Sequence, residues 1–224
     1  MVTKENIPEK GAAVQKDMKS FAMIPYIPGG LVDPKTLHKI ADVADKYGVK
    51  IIKLNSEHRI GFYGVKEEDI DAIWADLDME PGGFTGKCVR ASKFCIGNSS
   101  CKKAYQNTIN IGLKIDEKFH RMKTPNKVKI AISGCTNSCG ESNVRDIGLI
   151  GTPKGWKLLV GGTCGLQARP GRLLAENLSE SQVMIYIEKI LDYYVEKGVQ
   201  NRMGVFIDKI GFERFKEDIK TSLY

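Results

Sequence analysis

The sequence predicts an α+β protein in two parts, and three observations lead there. Residues 20–77 read as strand, helix, strand, strand, helix. The stretch "EPGGFTG" at 80–86 then breaks that pattern. From residue 87 a second series of strands and helices begins, and all six cysteines lie in it. Composition agrees with a folded chain: of 224 residues, 42% are apolar and 27% charged, which is ordinary for a globular protein with a sizeable core.

In the first part, "SFAMIPYI" (20–27) reads as a strand. "DPKTLHKIADVADKYG" comes next. Asp33 is a natural N-cap and Pro34 suits the first helical position. Leu37, Ile40, Ala41 and Ala44 repeat at helical spacing, and Gly48 ends the helix. "VKIIKLN" (49–55) and "RIGFYGV" (59–65) are rich in β-formers around a short turn, and "KEEDIDAIWADL" (66–77) is a helix with acids in its first turn. This order is most of a ferredoxin-like split βαβ unit. The expected organisation is a loose tail over 1–19, the ferredoxin-like module over 20–80, and a second domain over 81–224.

In the second part, "KCVRASKF" (87–94) reads as a strand running into Cys95, and residues 101–120 as a helix with Ala104, Thr108, Ile111 and Ile115 on one face. "KVKIAISG" (127–134) is a strand ending at Cys135. "IGLIG" and "WKLLVGG" flank "TPKG" as a hairpin. Ser179 with Gln182 forms a capping box for a helix through Lys197, and a short helix near 208–219 closes the chain.

No apolar run approaches the roughly 18 residues of a membrane span. The start, "MVTKENIPEKGAAVQKD", lacks the apolar core of a secretory signal, so a cytoplasmic protein is expected. Stable disulfides are rare there, so clustered thiols point to metal or redox chemistry. Cys88 and Cys164 sit in no tight pair and read as small buried apolar side chains. Net charge is +7, unevenly spread. Between Gly86 and Lys129, eleven Lys and Arg face only Asp116 and Glu117, a local balance of +9 around the cysteines. Such a field attracts anions. Lys114, Lys118 and Lys123 read as a solvated helix face. Nucleic acid is disfavoured, because only Phe94, Tyr105 and Phe119 accompany the basic residues.

The other four cysteines form the pattern C-x5-C-x33-C-x3-C: Cys95 and Cys101 in "CIGNSSC", Cys135 and Cys139 in "SGCTNSCG". A zinc knuckle spaces its thiols by two to four residues, which fits the second pair and not the first. A thioredoxin-like pair is C-x-x-C, which neither is. Four thiolates also suit a [4Fe–4S] cluster, and loops rich in Gly, Asn and Ser present backbone N–H groups to cluster sulfurs. Spacing alone leaves zinc and cluster both open.

Beyond the cysteines, "SGCTNSCGESNVRDIGLIG", the following "WKLLVGG" and the earlier "KLNSEHRIGFYGV" resemble the sirohaem-dependent nitrite and sulfite reductases over roughly residues 20–215. The resemblance implies a ferredoxin-like half-module followed by a nitrite/sulfite reductase haemoprotein-type α/β domain. It implies a [4Fe–4S] cluster on Cys95, Cys101, Cys135 and Cys139, with Cys139 also ligating sirohaem iron. Arg59 matches a sirohaem-holding position, Arg90 matches an arginine near the active site, and Lys127 and Lys129 match a pair of substrate-contacting lysines. The implied reaction is the six-electron reduction of sulfite to sulfide or nitrite to ammonia. His58 and His120 match no catalytic position.

Large members carry two copies of the module-plus-domain unit, whereas this chain carries one, so a homodimer or a complex subunit is expected. "VGGTCG" lacks the G-x-G-x-x-G spacing, and no flavin or nicotinamide fingerprint is present. Electrons are therefore expected from a separate ferredoxin or flavoprotein. The competing reading is a non-catalytic carrier or handler of the same cofactors.

Overall fold

The computed structural model describes residues 4–198 and 200–222. The chain divides into two compact units, Met1–Gly86 and Lys87–Tyr224. Among the described residues no helix is long and apolar enough to cross a membrane.

The first unit contains β1 (Ala12–Val14), β2 (Phe21–Met23), α1 (Pro34–Lys46), β3 (Ile51–Leu54), β4 (Ile60–Val65) and α2 (Ile70–Leu77). The strands form one antiparallel sheet in the order β1-β2-β4-β3. Phe21, Met23 and Phe62 from the sheet share a core with Ile40 of α1 and Ile70 and Ile73 of α2. Asp33 caps α1, its side chain accepting from the Thr36 N–H at 2.8 Å. Two expectations change. Residues 12–14, inside the expected loose tail, are a strand: Gly11 at φ 59° turns the chain, and Ala12 packs fully buried opposite Met23. The first three residues of that tail lie outside the described residues. The strand expected over 20–27 is only Phe21–Met23, because Pro25 and Pro28 have no N–H for a ladder.

The second unit contains β5 (Lys93–Phe94), α3 (Thr108–Phe119), β6 (Ile130–Ser133), β7 (Ile147–Thr152), β8 (Gly155–Val160), β9 (Arg172–Leu178), α4 (Glu180–Lys197), α5 (Met203–Ile210) and α6 (Phe212–Thr221). Its sheet runs β5-β6-β7-β8-β9. β5, β6 and β7 are parallel, and β7, β8 and β9 antiparallel. Val128, Ile130 and Ile132, with Ile147 and Leu149 of β7, join a core completed by apolar residues of all four helices. Strand alternation therefore turns Lys127, Lys129, Ala131 and Ser133 to the opposite face.

That opposite face carries the chain from Cys135 back to β7. The Ser133 hydroxyl accepts from the Gly140 N–H at 3.0 Å and meets the Ser142 hydroxyl at 2.8 Å. Gly148 admits the returning segment: a Cβ there would lie 1.9 Å from the Ser142 carbonyl oxygen.

Four boundaries differ from expectation. Only Lys93–Phe94 of the strand expected over 87–94 joins the ladder, while Cys88 and Val89 make isolated bridges. The helix expected from 101 starts at Thr108, because the Asn107 side chain caps it by accepting from the Asn110 N–H at 3.0 Å. β9 was not expected: register shifts against β8 spoil its alternation, leaving only Leu174 and Leu178 buried. The closing helix is two helices, broken at Gly211 with φ 87°.

Candidate functional site

Parallel β5 and β6 end together, and this gathers the cysteine loops. Cys95 follows β5 directly and donates its N–H to the Ile132 carbonyl at 3.1 Å. Cys135 follows β6 after Gly134. The Gly134 N–H points at Cys95 Sγ, at 3.3 Å, and its carbonyl accepts from the Tyr105 N–H at 2.8 Å. Cys101 donates to the Gly97 carbonyl at 2.9 Å. Gly97, at φ 60°, and Gly134 touch: a Cβ on Gly134 would stand 2.8 Å from Ala104 Cβ and 3.1 Å from Gly97 Cα. Three loops are thus packed backbone to backbone.

A turn closed by the Ser138 N–H to the Cys135 carbonyl, 3.2 Å, carries Cys139. Cys95, Cys101 and Cys135 are half-buried, Cys139 is exposed, and none of the four stands in a disulfide. Among the described residues no group of three or more His, Cys, Asp or Glu is gathered closely enough to hold a single metal ion, which leaves zinc and cluster undistinguished by geometry. By its chemistry the donor set fits a polynuclear iron–sulfur cluster: four thiols outside any disulfide on glycine-lined loops, one already receiving a backbone N–H.

Three of the expected cations, Arg90, Lys127 and Lys129, lie near one another. Val89 bridges Val128, with the Arg90 N–H on the Val128 carbonyl at 2.9 Å. Lys127 and Lys129 line a cavity of about 160 Å³ together with Arg145, Cys164 and Arg202. Burial first, then Arg202, Lys129 and Arg90, push the Lys127 ammonium below the ordinary lysine range. Burial likewise lowers Arg90, against the favourable contact its Nη1 makes with Cys88 Sγ at 3.5 Å. Arg90, Lys127, Lys129 and Arg202 therefore share one positive field. Both lysines precede β6, whereas Cys135 lies beyond its other end. Cys164, expected to be buried, is exposed at the cavity wall. Lys114 and Lys118 pair with Glu180 and Glu188 at 3.1 and 2.8 Å on the helical surface. Arg59 lies in the first unit, immediately before β4, and is buried.

Residues 85–224 match the family profile described as "Nitrite and sulphite reductase 4Fe-4S domain". Residues 13–80 match "Nitrite/Sulfite reductase ferredoxin-like half domain". The chain belongs to the nitrite and sulfite reductase family. It is an oxidoreductase of the sulfite/nitrite reductase type with an iron–sulfur domain.

An assimilatory-type sulfite reductase of Nitratidesulfovibrio vulgaris is 37% identical over 94% of this chain and 97% of its own length. An NAD(P)H nitrite reductase of Bacillus subtilis is also 37% identical, over 89% of this chain but only 25% of its own length. Two solved structures share the fold. Dissimilatory sulfite reductase I has a TM-score of 0.80 at 18% identity, covering 90% of this chain and 69% of that one. The Mycobacterium tuberculosis NirA protein has 0.81 at 17% identity, covering 91% and 40%.

Within this reductase the structure adds three residues that the sequence did not single out. Arg145 pairs with Glu141, which also meets buried Lys93 at 3.0 Å, so the segment after Cys139 is pinned by charge. Buried Asp146 pairs with Arg202 at 2.6 Å. The "RDIG" following the second cysteine pair was a visible signal for Arg145 and Asp146. Arg202 had none, because chain folding alone brings it to the cavity.

Proposed function

We propose that this reductase holds a [4Fe–4S] cluster on Cys95, Cys101, Cys135 and Cys139, and sirohaem through Cys139, to reduce a small oxyanion. The observation that supports the proposal is the exposed Cys139 thiol in the loop after β6, in the same unit as a cavity lined by Lys127, Lys129, Arg145 and Arg202. When bound, sirohaem supplies an iron at which the oxyanion binds and accepts electrons.

The chain's own residues do the rest. Cys95, Cys101 and Cys135 anchor the cluster from loops that the Gly97–Gly134 contact holds together. The Gly134 N–H stabilises negative charge on Cys95 Sγ. Lys127 and Lys129 line the cavity, where their amine ends attract the anion and stabilise charge as each oxygen leaves. Arg90 adds to the same field, and Arg59 is proposed, from the family resemblance alone, to meet a sirohaem carboxylate.

Sulfite is the substrate we favour, because the relative of matching length is named a sulfite reductase; nitrite is the alternative anion. The six electrons come from a separate ferredoxin or flavoprotein in the cytoplasm, and the working form is a homodimer or a complex subunit.

The test is anaerobic purification followed by an absorption spectrum and assays for iron, acid-labile sulfide and reduction of each anion with a chemical donor. Sirohaem bands with cluster absorbance and sulfide production support the proposal. A colourless protein, or one carrying both cofactors that reduces neither anion, removes it.

A further inference from the structure

We infer that Asp146 and Arg202 form a clamp that positions Lys129, and that Arg202 is a further anion-binding residue of the cavity. The inference rests on reading that cavity as an anion site.

Asp146 is 1% exposed, and its carboxylate is engaged from two distant segments. Oδ2 accepts from the Lys129 main-chain N–H at 2.9 Å and from Arg202 Nη2 at 2.6 Å. Oδ1 accepts from Arg202 Nε at 3.3 Å, and the Asp146 carbonyl accepts from the Gly161 N–H at 2.8 Å. A buried carboxylate is costly unless charge and hydrogen bonds both meet it, as they do here. The bond to Lys129 reaches the main chain, so it fixes where that residue leaves the strand, whatever its side chain does.

Arg202 divides its fork. Nε and Nη2 face Asp146, while the residue also lines the cavity beside Lys127 and Lys129. The guanidinium has five N–H donors, and Asp146 occupies two of them. The others make no hydrogen bond among the described residues. The segment carrying Arg202 is itself anchored to the approach to Lys127. Asn126 Nδ2 donates to the Gln200 carbonyl at 3.1 Å, and Lys87 Nζ to Gln200 Oε1 at 2.7 Å. Among neighbouring charges, Arg202 lowers the Lys127 ammonium most, ahead of Lys129 and Arg90. A cation held this firmly near other cations is preorganised for an anionic oxygen, since its geometry needs no rearrangement when the anion arrives. That oxygen belongs to the substrate oxyanion or to a carboxylate of the macrocycle.

The experiment uses full-length protein as purified, with Arg202→Met, Arg202→Lys, Asp146→Asn and Lys129→Met. Optical titration with sulfite and with nitrite gives affinity, pigment extraction gives sirohaem per chain, and hydrogen exchange follows the Lys129 amide. Arg202→Met is expected to weaken anion affinity about tenfold, the scale of one charged contact. Arg202→Lys should recover part of that loss, because it keeps the charge without the two-point tie.

Asp146→Asn discriminates most sharply. It removes a negative charge near the cavity, so a purely electrostatic role predicts tighter binding. Positioning predicts weaker binding and faster exchange at the Lys129 amide. Lower sirohaem content with unchanged affinity in the loaded fraction assigns the anion to the cofactor and supports the binding role. Wild-type affinity and sirohaem content in Arg202→Met, or tighter binding in Asp146→Asn, overturns the inference. If Asp146→Asn does not fold, the two Arg202 variants still decide. Weak binding in Lys129→Met beside wild-type behaviour in the Arg202 variants keeps the cavity reading and ends the clamp. No change in any of these variants ends both.

Discussion

At the scale of single residues, thiols and ammonium groups behave differently because of where their backbones lead. Cys95, Cys101, Cys135 and Cys139 stand on interlaced loops, whereas Cys88 and Cys164 stand beside the cations. Changing any of the first four to Ser is expected to lower iron and acid-labile sulfide in the purified protein. Cys164→Ser should leave both unchanged, and the reverse pattern would overturn the ligand assignment. Lys129→Met keeps the stem and removes the charge, so anion reduction should fall about tenfold or more with cluster content intact. Lys114→Met, on the helical surface, should change little.

The lowered Lys127 value gives a pH signature. Anion affinity should decline as pH rises through a value below the ordinary lysine range, where the ammonium loses its proton. Lys127→Arg should move that decline to higher pH, measured as sulfite affinity across alkaline buffers. The sign for stability is opposite: folding lowers this pKa, so the group's contribution to stability improves as pH rises through the lowered value.

At the scale of elements, local signals set where helices stop and start, and close contacts set where loops meet. Ser179 and Gln182 satisfy each other's backbone N–H groups at the start of α4, at 3.2 and 2.9 Å. Ser179→Ala is therefore expected to cost about 1 kcal/mol, read as a lower midpoint in thermal denaturation, with the cluster retained. Gly134→Ala should do the reverse. Its new Cβ would press on Ala104 and Gly97, forcing two cysteine loops apart, so cluster content should fall more than thermal stability. Equal iron in Gly134→Ala and the unaltered protein would show that the loops tolerate separation.

For the whole molecule, the family matches amount to one ferredoxin-like half domain and one 4Fe-4S domain, and self-association is the proposed way to complete the site. Light scattering on the cofactor-loaded protein should give a mass above 24.9 kDa; a fully active monomer would refute self-association. The β3 strand bears on the same question. It is a sheet edge, and Ile51, Ile52 and Leu54 are exposed at 58%, 46% and 80%. Exposed apolar edges are liabilities that a folded chain ordinarily blunts.

The sequence by itself determined the two-part α+β plan, because its helices carry local caps and its first strands are separated by clear turns. It also determined the C-x5-C and C-x3-C thiols, and it placed Lys127 and Lys129 on one face, because alternation along a strand is a local rule. Tertiary structure decided the rest. β9 is held by pairing across register shifts, so its own pattern did not reveal it. The strand at Ala12–Val14 exists because β2 offers it a partner. The 101–107 segment stays out of helix because Tyr105 donates to the Gly134 carbonyl and Asn107 caps α3. Asp146 and Arg202 meet only when α5 docks, since a contact between distant segments leaves no periodicity in either one.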